Sequence, residues 1–256
     1  MRTLVPQLLS SVGLLVFAFF AHRVALGLPA RQRTFRYGWT LTAATFGVHG
    51  LSSALHDMFS MVGWRGGEGS AAWNAVLVWH PILNHSRTFL LTAYCIVLCV
   101  ILLRVQRGAA PPPLGRAMVV VLGGMVVGGL VGANEHAFSG LTHYLAVAVW
   151  DLMELLALMA VLLVGISSGG MDRGLWSALG VNAFTLALSV LWFAFLSRID
   201  IGGQWAPQPY HIHLTKTALY GVMIALAYRQ LRQLRQGSPV RGFFDAQPRP
   251  AVPSMH

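Results

Sequence analysis

The stretch AVLVWHPILNHSRTFLLTAYCIVLCVILL, residues 75–103, decides the fold. Its only formal charge is Arg87, and it exceeds the about 20 mostly apolar residues needed to cross about 30 Å of hydrocarbon. Working outward, six further segments read the same way, at 4–27, 37–62, 116–135, 140–166, 174–197 and 210–230. The first is longer in its apolar run than a usual signal-peptide core, so it counts as a span. The expected fold is all-α, a polytopic membrane bundle of seven transmembrane helices over residues 1–236. A polar tail, 237–256, is expected to be poorly ordered. Composition agrees: 55% of residues are hydrophobic and 10% charged, against about 25% charged in a soluble domain. A soluble enzyme is excluded, and with two cysteines so is a disulfide-built scaffold.

The formal charge of +10 comes from seventeen arginines and one lysine against eight acids. Cytoplasmic loops of membrane proteins are rich in such residues. Arg31, Arg33 and Arg36 fall in the first loop, Arg104, Arg107 and Arg116 in or beside the third, and Arg173 in the fifth. Arg229, Arg232, Arg235 and Arg241 follow the last span. The expectation is an N-terminus outside and a cytoplasmic C-terminus. In the fourth span, Gly124, Gly128 and Gly132 put a smooth stripe on one face, which lets a neighbouring helix approach. Cys95 and Cys99 lie one turn apart and act as small hydrophobes.

Orientation turns the ten histidines into depths. His49, His56, His80, His85, His136, His143, His211 and His213 gather in the outer half of the bilayer, and only His22 and His256 lie elsewhere. Neutral imidazole is the commonest metal ligand at neutral pH, and bundle-core metal or haem sites draw ligands from facing helices. His49 and His56 are seven apart and share a face. His211 and His213, about 200° apart around a helix, point to opposite faces and suit two different environments. Asp57, Arg87, Asp151, Glu154 and Lys216 all sit within spans, where charge by default marks function. Arg87 could pair with Asp57 or with a haem propionate. Asp151 and Glu154 share a face at i,i+3.

Gly132-Ala133-Asn134-Glu135-His136, followed by Trp150-Asp151-Leu152-Met153-Glu154 and an apolar run, resembles the catalytic subunit of bacterial nitric oxide reductases, in the haem-copper oxidase superfamily. Tyr210-His211-Ile212-His213 is similar to that family's His-x-His helix, and Trp79-His80-Pro81 to the helix bearing a further metal ligand. The resemblance covers residues 75–230. It implies b-type haem held by His211 or His213; the depths and faces above then put His49, His56 or His80 opposite and Arg87 near the propionates. It also implies a second metal ion, iron or copper, at His80, Glu135 and His136, with Glu154 in a catalytic proton or metal role. The chain differs from the family in having seven spans rather than twelve, and Glu135 where the first of two adjacent histidines stands. A reduced relative holding one haem, active in electron transfer or in reduction of a diatomic gas, is what the resemblance then implies. The expected setting is the bacterial inner membrane, with the lipid bilayer, other membrane subunits or an outer-face electron carrier as partners and no nucleic acid. Two alternatives stand beside it. One is a non-catalytic subunit of a larger membrane complex. The other is a seven-helix zinc hydrolase, because Ser52-x-x-x-His56 is similar to the alkaline ceramidase motif.

Overall fold

A computed structural model describes residues 4–67, 69–134, 141–194 and 210–243, without the side chains of residues 4, 64, 141–148, 193–194 and 210–211. Seven α-helices carry the chain: α1 (Leu4–Gly27), α2 (Arg33–Gly66), α3 (Ala71–Gln106), α4 (Leu114–Ala133), α5 (Leu141–Ser168), α6 (Arg173–Ala194) and α7 (Tyr210–Arg235). Each contains nearly all of one apolar segment. α2 and α3, at 34 and 36 residues, run well past the about 20 that span hydrocarbon. Five helices, all but α2 and α7, contain a window long and apolar enough to cross a membrane. α2 and α7 fall short because their polar residues, from Thr40 to Asp57 and from His213 to Lys216, dilute their hydropathy.

The side-chain distribution is that of a membrane protein. Val119 is 70% exposed and Leu163 65%, while Asp57 and Glu154 are each 5% exposed. A soluble fold does the reverse, since charged residues are almost never buried unless paired. Helices α1, α2, α3, α5, α6 and α7 pack successively side by side, and α7 closes back on α1, giving a ring of six. α4 lies outside it against α3. The glycine stripe makes that seat: a Cβ at Gly132 would come 2.5 Å from the Pro81 carbonyl oxygen, and one at Gly124 would come 2.5 Å from Ala93 Cβ. Gly128 lies directly on the His85 carbonyl. Val119, Val120, Val126 and Val127 of α4 face outward, while Val121 is buried.

The interior is divided along its length. Toward the end that bears the arginine-rich loops it is apolar, with Phe17, Phe46, Leu90, Leu98, Leu158 and Met223 buried. Phe46 meets Phe17 and Tyr94 edge-on. Tyr94 shares a 2.7 Å hydrogen bond with Thr42 Oγ1, so its hydroxyl is satisfied within the plug. The opposite end is polar.

At the arginine-rich end, Asp172 starts α6. It is fully buried, and its carboxylate accepts from the Leu175 amide at 2.9 Å and from Trp39 Nε1–H at 2.6 Å. The first is an N-cap, satisfying a helix amide that has no intrahelical partner. Burial pushes the carboxyl up to about 6 against the pull of these donors. The folded chain therefore binds this proton more tightly than the unfolded chain, whose ordinary value is 3.8. The group's favourable contribution is complete below that value and is lost as pH rises through about 6, by about 3 kcal/mol at most. Between pH 4.5 and 7.5 the wild type should thus lose more thermal stability than Asp172→Asn, measured in the same detergent. Parallel pH profiles would contradict this assignment.

Candidate functional site

Polar residues spaced along five apolar helices meet inside the ring, because each has its apolar neighbours turned to lipid or to the next helix. Arg87 of α3 is the hub. Its Nη1 donates to Ser53 Oγ of α2 at 3.1 Å and its Nη2 to Asn84 Oδ1 at 2.8 Å. Asp57 of α2, Asp151 and Glu154 of α5 and Tyr220 of α7 all lie within electrostatic range of the guanidinium. So do His49 and His56. Lys216 of α7 stands near Asp151 and Glu154. Two bases thus face three carboxylic acids in one region of low dielectric.

Of the two partners open to Arg87, Asp57 does not form a salt bridge with it; among the described residues the guanidinium donates to neutral acceptors. Asp57 is held from two other sides. Its Oδ2 accepts from Ser11 Oγ of α1 at 2.7 Å, and its Oδ1 lies 3.2 Å from His56 Nδ1. With Asp57 as a carboxylate and His56 neutral, that contact makes Nδ1 the donor and leaves Nε2 as the acceptor. Nε2 is buried and has no hydrogen-bond partner among the described residues, and the same holds for His49 Nδ1 and for Ser52 Oγ, one turn before His56. Buried polar atoms without partners are uncommon and costly, at about 1–3 kcal/mol each.

His80 of α3 comes against His56, with ring centroids 4.4 Å apart and planes inclined at 53°. His80 is exposed and His56 nearly buried, so the pair sits at the rim of the polar end. At metal–nitrogen distances of about 2.0–2.1 Å, imidazoles in adjacent positions on one metal have centroids about 4.5–5 Å apart. The 4.4 Å separation is close to that spacing and short of the about 6 Å between imidazoles on opposite faces of one metal. Sequence spacing alone does not pair these two histidines; the structure puts them side by side.

The other expected site residues are more dispersed. His213 Nε2 lies 3.4 Å from Gln7 Nε2 of α1, and Glu154 is buried beside Asp151, nearer mid-bundle. His49 is two turns from His56, about 10 Å along α2, so one metal takes only one of them. His85 is buried at the α3–α4 seat and lies near Asp151. Glu135 and His136, and the side chains of His143 and His211, lie outside the described residues. Among the described residues, no group of three or more His, Cys, Asp or Glu side chains is placed to hold a metal ion. The residues the sequence did not announce are Ser11 and Ser53, which hold Asp57 and Arg87. Their one signal is a hydroxyl within an otherwise apolar span.

Fold and site together define an all-helical membrane protein with a bundle interior polar at one end and closed by apolar side chains at the other. No protein-family model, curated protein or solved structure matches the chain.

Proposed function

We propose that this is an integral membrane protein of seven spans that binds a metal ion at the polar end of its bundle, with His56 and His80 as ligands. The count of seven rests on α2 and α7 each lying between two helices that qualify as spans by themselves. The arginines gathered at the far end favour a cytoplasmic C-terminus and an outer polar site, and the bacterial inner membrane as its setting. The observation that carries the metal reading is the buried, partnerless Nε2 of His56, whose other nitrogen is tied to Asp57. Metal-bound histidines carry this same kind of carboxylate support on their second nitrogen.

A metal bound there supplies Lewis-acid or redox chemistry, according to its identity. The chain's own residues would do the rest. Asp57 orients His56, Ser11 fixes Asp57, and the exposure of His80 leaves an open side for water or substrate. Glu154 and Asp151, near Arg87 and Lys216, hold exchangeable protons behind the site. The apolar plug around Phe46 and Tyr94 makes the site one-sided, which favours a reaction or binding event at the outer face over a conduit. In the detergent-solubilised full chain, adding back the co-purifying metal after chelation should raise Tm. A ligand present at about a hundred times its Kd adds about 2.7 kcal/mol. His56→Ala and His80→Ala should abolish that rise, and His22→Ala should keep it. An equal rise in all four proteins would place the metal elsewhere.

One observation favours a second reading. His49 Nδ1 is also buried without a partner, in range of Arg87, which suits b-type haem with His49 as an axial ligand and a propionate on the guanidinium. The role would then be electron transfer. A Soret band in the purified protein, lost in His49→Ala, supports haem; a haem-free protein that holds metal supports the first reading.

A further inference from the structure

The end of the molecule opposite the histidines carries a cavity of about 540 Å³ between the start of α6 and the end of α7. Arg173, Arg229 and Arg241 line it, with Gln230, Gln233 and Ser238. No acidic residue is among its lining, and among the described residues no carboxylate comes within salt-bridge distance of these three guanidinium groups. A volume of this size is within the range of about 300–1,000 Å³ typical of small-molecule sites.

The arginines are not free to drift apart. Two residues past the end of α7, Gly237 turns the chain back with a φ of +70°, and the Ser238 amide returns to the Gln233 carbonyl at 3.0 Å. The strap that follows is pinned by its backbone. Gln32 Nε2–H donates to the Val240 carbonyl at 3.2 Å, the Arg173 amide donates to the Arg241 carbonyl at 3.1 Å, and Gly242 pairs with Asp172. Val240 is buried beneath it. Arg241 is thus fixed next to Arg173, like charge beside like charge. Gln230, 6% exposed overall, contributes to the lining between these arginines. Gly174 gives its amide room, since a Cβ there would come 2.7 Å from Gln230 Oε1. A merely solvated basic rim needs no cavity that gathers three arginines and an amide side chain with no acid among them. The first amides of α6 are already capped by Asp172, so recognition falls to the guanidinium groups, which bind phosphate oxygens in pairs.

We infer that this cavity binds a phosphate group, with Arg173, Arg229 and Arg241 gripping its oxygens and the Gln230 amide donating from below. The source is either the headgroup of an anionic phospholipid, which basic clefts between spans take up, or a soluble phosphate ester. The inference does not depend on the metal site at the other end.

The test uses the full chain in mixed nanodiscs of phosphatidylcholine and phosphatidylglycerol, with retained lipid read by native mass spectrometry after extraction. A second arm titrates lipid-free detergent samples with pyrophosphate and reads Tm. Arg173→Gln combined with Arg241→Gln should lower retention of phosphatidylglycerol, or the apparent pyrophosphate affinity, by about tenfold or more, because hydrogen bonds to charged groups are the strong ones. Gln230→Leu, which keeps every charge and therefore the membrane-edge electrostatics, should lower it too and stands in if the double variant does not fold. Arg107→Gln with Arg116→Gln, at the same end but outside the cavity, should change neither readout. Loss in the lipid arm alone assigns a lipid headgroup, and loss in the pyrophosphate arm alone assigns a soluble ester. Equal retention by the wild type, the folded cavity variants and the control in both arms would overturn the inference.

Discussion

Gly128→Val should prevent stable folding, while Gly123→Ala, five residues earlier on the same helix, should be tolerated. A Cβ at Gly128 meets the His85 carbonyl and, at 2.8 Å, Phe89 Cβ; one at Gly123 meets nothing within 4 Å. Overpacking ordinarily costs about 1–3 kcal/mol. Here the obstacle is α3 backbone, which has no alternative rotamer, so the cost should stand at or above the upper end of that range. The displaced element is a whole helix. α4 is held by little besides α3, and it joins the ring only through the α3–α4 loop and whatever follows Asn134. In detergent the Gly128 variant should appear as aggregated or low-yield protein, and Gly123→Ala should match or slightly exceed the wild-type Tm, since alanine is the better helix former by up to about 1 kcal/mol. Similar behaviour of both variants would show that the stripe is not a seat for α3.

The second large effect concerns Arg87. Arg87→Met removes the guanidinium from a region where Asp57, Asp151 and Glu154 face it, and leaves Lys216 as the remaining formal cation near the two α5 acids. Taking one partner out of a buried charged set costs about 3–5 kcal/mol, because the others are left uncompensated. It also strips Ser53 and Asn84 of their donor. The loss should be partly recovered by Asp57→Asn in the same chain, with a coupling of about 1–3 kcal/mol between the two positions. Thermal unfolding of the two single variants and the double variant measures it. Additive losses would mean that Arg87 and Asp57 act independently, and that the cluster is an assortment of separate polar groups.

The seven apolar segments were readable because length and hydropathy need no tertiary context, and the helices contain nearly all of them. The glycine stripe was readable for the same reason: a four-residue spacing fixes a face whatever lies opposite. So was the shared face of His49 and His56, seven apart on one helix. Relations between helices were not. Nothing in the sequence says that α4 stands outside a ring that closes from α7 to α1, since that order is set by packing. The approach of His80 to His56 depends on the relative rotation of α2 and α3, which no spacing within either helix encodes. Arg87 was legible as a buried cation, but its acceptors were not, because Ser53 and Asn84 look like ordinary small polar residues of a span. Asp172 did carry a signal, an acid at the start of an apolar helix after Gly169-Gly170, yet its burial under Trp39 comes from a contact across 133 positions. The strap from Ser238 to Gly242 is short and polar, and its pairing with Arg173 and Asp172 likewise depends on residues far away in the chain.

A metal held through His56 and His80 at the polar end of the bundle can be detected directly. Elemental analysis combined with X-ray absorption at the metal edge, on full-length protein purified through a tag free of histidine, reads both stoichiometry and ligands. The predicted result is about one metal per chain with nitrogen neighbours at about 2.0–2.1 Å, imidazole scattering in the wild type, and loss of the metal in both His56→Ala and His80→Ala. A folded wild-type chain that carries no metal, and whose Tm is unchanged by chelators and by added zinc, iron or copper, would contradict it.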